Sequence, residues 1–355
     1  MGKIGMLTFH RTNNFGSVLQ TYGLYKKIID LGYECEIIDY RCPAIEYKEK
    51  LKIEWHLTKP KEIVKNILFQ PTLNKKASSL QKFIADNMNM GNMYTPDTIS
   101  RVEQNYSKII VGSDIVWGRD ITQNDYTYFL DFIKDNKKKF AFASSVGDYT
   151  IRGDEERLKI LLSDFEYIAV REEEAVDWVR RVSGKKAEWV CDPTMLLLAD
   201  EWKKVIPLKK IVDDYVLVYF NTPDGKCLKS AIEYAKKYNK KVYFINYGLQ
   251  IKGVIRKRPT SLEEFLSLIA NANMVFTASY HGMLFSIYFH KRFMFYTRAH
   301  KSRMISLAKY LSLEDCCGDE KKIDEFKDID YVAVEQRVKE FRDNSILVLN
   351  RMLVE

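Results

Sequence analysis

The chain has few of the residues that ordinarily announce a metal centre, a disulfide framework or a membrane span. Its 355 residues include six cysteines and five histidines. Cys35, Cys42, Cys191, Cys227, Cys316 and Cys317 form no CxxC pair and no Cys/His cluster at zinc spacing. Neither a structural metal nor a disulfide scaffold is therefore expected, and reduced thiols in a cytoplasmic protein are the economical reading. No apolar run approaches bilayer length; the longest, such as YVLVYF at 215–220, are strand-sized. The opening MGKIGMLTFHRTNNFG is too polar for the apolar region of a secretory signal, and Gly2 lacks the downstream Ser or Thr of a myristoylation site. GxGxxG and the Walker pattern are both missing, which disfavours a nicotinamide cofactor or a nucleoside triphosphate. There is no GxSxG elbow and no HExxH, and the DID at 328–330 is a chance match. No cofactor or metal is expected.

Apolar residues make up 46% of the chain, enough to build two ordinary domain cores. The net charge of +8 points to an anionic partner. Basic residues thicken between Lys48 and Lys82, mixed with Glu and apolar residues. That stretch reads as a solvated helical face or as a surface resting on anionic lipid. Nucleic acid is not expected, because no recognised motif accompanies the charge.

The first forty residues read as a β-α-β unit. KIGMLTF is a short strand, NNFGS a turn, and Val18, Leu19, Tyr22, Leu24, Tyr25, Ile28 and Ile29 recur at helical spacing before Gly32 and the strand YECEIIDY. Residues 44–105 read as two or three helices inserted in the first domain, broken at Pro60 and Pro71. Strands resume with SKIIVGSD, KFAFASSVG, EYIAVR and AEWVCDP. The expected organisation is an N-terminal Rossmann-like domain over 1–207 with its helical insertion at 44–105, a C-terminal Rossmann-like domain over 208–332 and a final amphipathic helix over 333–355. In the second half, YVLVYFN, KVYFINYG, NMVFTAS and RFMFYT are strands, and SLEEFLSLIANA opens with a capping box from Ser261 to Glu264. Two such stacks facing a cleft place ligands at the carboxyl ends of their strands.

Four segments carry candidate chemistry. In TASYHGMLFSIYFH a strand ends near Ser279 and a helix opens at His281 and Gly282, so His281 stands where a phosphate or carboxylate would meet helix N–H groups. Gly282 would let a ligand approach the backbone. A capping histidine without a ligand is the competing reading. His290 and His300 read as structural or surface residues, and His10 and His56 sit in no clear setting. Arg171, in EYIAVREEEAV, reaches a strand end, where it could clamp a planar anion or pair with Glu172, Glu173 or Glu174. Asn13, Asn14, Gly16 and Ser17 occupy the first strand-to-helix turn, an anion- or sugar-binding position. In VGSDIVW, Asp114 and Trp117 suit a sugar, the acid taking hydroxyls and the indole its C–H face; a capping Asp114 and a core Trp117 stay open.

The segments IGMLTFHRTNNFGSVLQTYGL, GSDIVW, FASSVG, IAVREEEAV, CDPTMLL and TASYHGMLFSI stand in the order found in the polysaccharide pyruvyl transferase family, which the chain resembles over about residues 3–312. The resemblance implies a GT-B-like α/β fold, two Rossmann-like domains with an interdomain cleft, the first on the acceptor side and the second on the donor side, with the last helix returning toward the first domain. It also implies transfer of a pyruvyl group from phosphoenolpyruvate to a sugar of a cell-surface polysaccharide or its precursor, giving a pyruvate ketal. By the same match, Arg171 corresponds to the donor-binding arginine and His281 to the histidine beside the strand-to-helix turn, both expected to be catalytic; Ser279, Gly282 and Arg298 are expected on the donor beside them, and Asn14, Gly16, Ser17, Asp114 and Trp117 on the acceptor. Many members carry Asp, and sometimes Arg, where this chain has Ala278 and Ser279; Arg298, Lys301 and Arg303 lie downstream as candidate replacements. Ile115 stands where Gln is frequent. The partners implied are phosphoenolpyruvate and a sugar or lipid-linked glycan, met in the cytoplasm or at the inner face of the membrane. The alternatives are a GT-B glycosyltransferase using a nucleotide sugar, and a non-catalytic glycan-binding homologue.

Overall fold

A computed structural model describes residues 2–53, 60–147, 149–150, 153–220, 225–297, 302–320, 326 and 328–354, without the side chains of 50–53, 60–68 and 302. By contact the chain falls into two units, one of Met1–Lys52, Gln81–Leu197 and Val338–Glu355, the other of Ile53–Leu80 and Leu198–Arg337.

The first stretch of chain runs β1 (Ile4–Leu7), α1 (Phe15–Asp30), β2 (Cys35–Tyr40), α2 (Pro43–Ile53), α3 (Pro60–Asn87), β3 (Met90–Tyr94), β4 (Lys108–Gly112), α4 (Arg119–Thr122), β5 (Lys139–Ser144), α5 (Glu155–Ser163), β6 (Tyr167–Val170), α6 (Glu173–Ser183) and β7 (Glu188–Trp189). Its seven strands form one parallel sheet in the order β3-β2-β1-β4-β5-β6-β7. Every residue of β1 and β5 is buried, as expected when a parallel sheet is covered on both faces. The chain leaves β1 toward β2 and comes back on the other side as β4, so the order of strands reverses between β1 and β4. In a doubly wound sheet that crevice is where ligands bind.

The second stretch runs α7 (Ala199–Val205), β8 (Tyr215–Tyr219), α8 (Gly225–Lys237), β9 (Lys241–Ile245), β10 (Ile255–Lys257), α9 (Leu262–Ala270), β11 (Met274–Thr277), α10 (Tyr280–Tyr288), β12 (Arg292–Phe295), α11 (Ser302–Leu311) and α12 (Tyr331–Val354). Its parallel sheet has the order β10-β9-β8-β11-β12, which reverses between β8 and β11.

Several details differ from the sequence reading. The segment 44–105, expected as helices alone, also supplies β3, and β10 was not expected at all. Both are edge strands, and MGNMY and IRK lack the apolar run that marks an interior strand. Pro71 does not break α3, which runs through it with the loss of one amide donor. Contacts change between Leu197 and Leu198 rather than at 207. The reason is α7, whose Trp202 is buried edge-on to Phe285 of α10, 5.7 Å between centroids. From Val338 onward α12 packs on the first unit. Ser345 Oγ accepts the Cys191 amide at 2.8 Å, and Phe341 meets Trp189 at 4.9 Å. In α9 only half of the expected capping box forms. Ser261 accepts the Glu264 amide, but the Glu264 carboxylate turns to the Thr260 amide and hydroxyl.

Candidate functional site

In the second unit the strand-order reversal between β8 and β11 carries the turn into α10. Ser279 caps the helix, its Oγ accepting the Gly282 amide at 3.4 Å. Thr277 holds the turn in place: its hydroxyl donates to the Tyr219 carbonyl at 2.7 Å and accepts the Ser279 amide at 3.1 Å. Burial pushes the Tyr219 phenol up to about 12, against the pull of its hydrogen bond with Ser279. The hydroxyl therefore keeps its proton at neutral pH.

His281 is the second residue of α10 and half-buried, its ring edge-on to Tyr280 at 5.7 Å. It stands in the first helical turn, the positive end of the helix dipole. Gly282 serves differently from the sequence reading. A Cβ there would meet Thr277 Oγ1 at 2.3 Å and Tyr219 Cδ1 at 3.0 Å, so glycine is required for the helix to pack on the strands, not for a ligand to approach. Among the downstream cations, Arg298 and Lys301 lie outside the described residues. Arg303 is described, and its guanidinium lies over the Tyr280 ring, 5.4 Å from the centroid.

In the first unit the crevice between β1 and β4 gathers Asn14, Gly16, Ser17 and Asp114. Asn14 caps α1 and accepts the Gly16 amide at 2.9 Å. The buried Ser17 hydroxyl donates to Asp114 Oδ2, across the reversal point, and the Ile115 amide donates to Oδ1 at 2.8 Å. Asp114 is half-exposed, so its carboxylate keeps lone pairs open to a hydroxyl-bearing ligand. Ser113 and Asp114 both take left-handed backbone, φ 41° and 68°. Such residues carry strain of order 1–3 kcal/mol each and gather at functional turns. Trp117, by contrast, is fully buried, stacked on Phe129 at 5.4 Å, with its indole N–H donating to the Tyr128 carbonyl at 2.9 Å. It is a core residue and offers no face to a sugar.

Arg171 follows β6 into a wholly buried polar network. Its side chain is 0% exposed. Nη1 donates to Asp192 Oδ2 at 2.8 Å and to Gln20 Oε1 at 2.9 Å, and Nε lies 3.5 Å from Glu172 Oε1. Gln20 Oε1 also accepts the Ser113 hydroxyl at 2.9 Å, and the Ser113 carbonyl accepts from Thr8 at 3.1 Å. Thus Arg171 does not reach a ligand in this geometry. It holds, through Gln20, the strained turn that presents Asp114. Of the carboxylates weighed in the sequence, only Glu172 comes near, and the main partner is Asp192. CDPT shows why: Asp192 caps a short turn through the Thr194 amide and hydroxyl, with its other oxygen left for the guanidinium.

Sequence reasoning gave His10 no setting. The structure buries it at the end of β1, with Nε2 2.9 Å from Asp39 Oδ1 and Nδ1 3.2 Å from the Thr8 carbonyl. Arg41 grips the same Asp39 through two hydrogen bonds of 2.8 and 2.7 Å. Burial would raise the Asp39 pKa, but the bonds from His10 and Arg41 outweigh it and hold the carboxyl well below the usual range. Nothing local marks this site, because its members meet only when β1 and β2 pair. His290 is an exposed partner of Glu335, 2.8 Å away, and His56 and His300 lie outside the described residues. Among the described residues no three His, Cys, Asp or Glu side chains converge as a metal would require.

A model of the polysaccharide pyruvyl transferase family matches residues 14–300. Among solved structures, the UDP-GlcNAc 2-epimerase of Neisseria meningitidis, bound to UDP-GlcNAc, is 11% identical, with both chains covered in full and a TM-score of 0.52. The UDP-GlcNAc 2-epimerase of Methanocaldococcus jannaschii is 13% identical over 96% of this chain and 92% of its own, with a TM-score of 0.48. A glycosyltransferase of Streptomyces nogalater is 9% identical over 99% of each chain, with a TM-score of 0.42. At such identities the likeness is one of fold. The fold is α/β and GT-B-like, made of two Rossmann-like units. No curated protein matches the sequence.

Proposed function

We propose, from the premise that the chain belongs to the polysaccharide pyruvyl transferase family and is a transferase, that it moves a pyruvyl group from phosphoenolpyruvate to a sugar of a cell-surface polysaccharide or its precursor. The product is a cyclic pyruvate ketal, and no cofactor takes part. The observation that supports this reading is His281 in the first turn of α10, at the strand-order reversal of a parallel sheet, with a guanidinium over the neighbouring Tyr280.

The chemistry needs a proton on the methylene carbon of phosphoenolpyruvate, which makes C2 electrophilic. One acceptor hydroxyl then forms a C2–O bond and gives up its proton. The C2–O bond to phosphate breaks, phosphate leaves, and the second hydroxyl closes the ketal with loss of its own proton. His281 is assigned the proton for the methylene or for the departing phosphate. Arg303, together with Arg298, is assigned the donor's negative charge. Asp114, held by Ser17 and the cap at Asn14, is assigned the acceptor hydroxyls. Arg171 positions Asp114 and does not touch the donor. The reaction is placed at the cytoplasmic side, on a sugar or lipid-linked glycan.

The test incubates the protein with phosphoenolpyruvate and candidate acceptor glycans, follows phosphate release, and seeks an added pyruvyl group by mass spectrometry. His281→Ala is expected to keep its circular dichroism spectrum and lose product by roughly 100-fold or more. Full turnover by that variant would remove His281 from the mechanism. Turnover of a nucleotide sugar, with phosphoenolpyruvate untouched, would replace the reaction itself.

A further inference from the structure

The exposed aliphatic residues of the described chain are scattered, except at one place. The loop from β9 to β10 presents Leu249 at 72%, Ile251 at 37% and Ile255 at 43% exposure within seven residues. Around them, residues 246–260 contain Lys252, Arg256, Lys257 and Arg258 and no acid at all.

The loop is built rather than slack. Asn246 accepts the Gly248 amide at 2.8 Å and donates to the Leu249 carbonyl at 2.8 Å. Gln250 donates to the Val254 carbonyl at 2.6 Å, and Arg256 to the Gly248 carbonyl at 2.6 Å. The Tyr247 hydroxyl donates to the Pro259 carbonyl, and Val254 is buried beneath. Polar backbone groups are thus satisfied within the loop while its aliphatic tips face outward. Left-handed Gly253, φ 86°, makes the bend that separates Ile251 from Ile255.

In the same unit α3 packs beneath the loop: the buried Lys76 lies over the Tyr247 ring at 4.6 Å, and Phe69 lies beneath Arg256 and Arg258 at 5.7 and 6.0 Å. Lys75 is exposed one residue before Lys76. Two described acids in this unit are engaged locally. Glu264 takes the Thr260 amide and hydroxyl, while Asp213 takes Lys241 and Tyr243, beside Lys257.

We propose that the loop 247–256 is a membrane-docking element, its aliphatic tips entering the acyl boundary and its cations meeting the phosphates of an anionic lipid surface. The pairing of exposed aliphatics with a basic loop that contains no acid fits that occupant and suits neither a nucleic acid, which would want stacking aromatics, nor a neutral glycan. It differs from the basic stretch at 48–82 as a whole, since the apolar contact comes from another part of the chain. The proposal uses none of the residues assigned to the transfer reaction and stands whether or not that reaction is right.

The experiment co-sediments the full chain with phosphatidylcholine vesicles, with and without about one-third phosphatidylglycerol. The intact chain is expected to partition onto the anionic vesicles and little onto the neutral ones. Leu249→Ser/Ile251→Ser and Lys252→Glu, both at exposed positions, are each expected to lose roughly tenfold in partitioning with unchanged thermal unfolding. In an otherwise intact chain, Leu249→Trp should show a blue-shifted emission on anionic vesicles alone. The proposal is overturned by any of four results: no binding to anionic vesicles, equal binding to both, loop variants that partition like the parent, or an indole emission from the Leu249→Trp variant that does not move. Loss of binding in Lys75→Glu with the loop variants unaffected would hand the contact to α3 and overturn it as well.

Discussion

Arg171 offers the sharpest test of how the first unit works, because two roles for it differ in what they do to stability. If the guanidinium served a ligand, its loss would spare the fold and reduce turnover. The structure instead encloses it completely with Asp192, whose side chain is also 0% exposed, and with Gln20 and Glu172. Arg171→Met keeps much of the volume and removes the charge. It leaves Asp192 buried without its cation, and breaking such a pair from one side costs about 3–5 kcal/mol. At roughly 2–4 °C per kcal/mol for a unit of this size, the melting temperature should fall by about 6–20 °C. Asp192→Asn alone should be similarly harmful, since it orphans the arginine. Arg171→Met with Asp192→Asn removes both charges and should recover a large part of the loss, giving a coupling of opposite sign to the single effects. Differential scanning calorimetry of the four proteins measures this. A melting temperature for Arg171→Met within about 2 °C of the parent, with activity gone, would refute the buried-pair argument and restore Arg171 as a ligand clamp.

Other outcomes follow from the same geometry. Gly282→Ala places a Cβ 2.3 Å from Thr277 Oγ1 and should lower the denaturant midpoint by the equivalent of about 1–3 kcal/mol; an unchanged midpoint would show that α10 does not rest on β11 as described. All six cysteines are buried and unbridged, and burial pushes Cys42, Cys191 and Cys316 up to about 12. The native chain should therefore resist a thiol reagent at about pH 8 and release all its thiols in denaturant, and rapid native labelling would contradict the burial. Asp39, with its pKa lowered in the folded state, contributes stability above the unfolded aspartate value of about 3.9 that is lost as pH falls through the folded value. Asp39→Asn should therefore lie below the parent by about 1–3 kcal/mol near neutral pH and converge with it in acid, and a gap that widens on acidification would reverse the assignment.

Much of the architecture was legible because it rests on local signals. The β-α-β opening, the strands from IIVG to FMFY and the final helix declare themselves by apolar runs and helical spacing, and the cap at Ser261 by residue type. The edge strands β3 and β10 did not, since MGNMY and IRK bury little and carry no apolar run. Pro71 misled because a proline inside a long packed helix costs one hydrogen bond, which neighbouring contacts outweigh.

The candidate site divides along the same line. The chain order alone put Ser279, His281 and Gly282 at a strand-to-helix turn and Asn14, Gly16 and Ser17 at another, because such turns are properties of a few consecutive residues. Which partner each side chain meets was decided by packing across long separations. The sequence could not tell that Arg171 meets Asp192 and Gln20 in a sealed interior, that Trp117 stacks on Phe129, or that Gly282 is required by Thr277. Nor could it bring His10 to Asp39, or set Leu249, Ile251 and Lys252 on one outward-facing loop. Local sequence determines where the backbone turns and which groups arrive at a strand end; burial and charge at that point depend on neighbours supplied by distant strands, and only the closed sheet settles them.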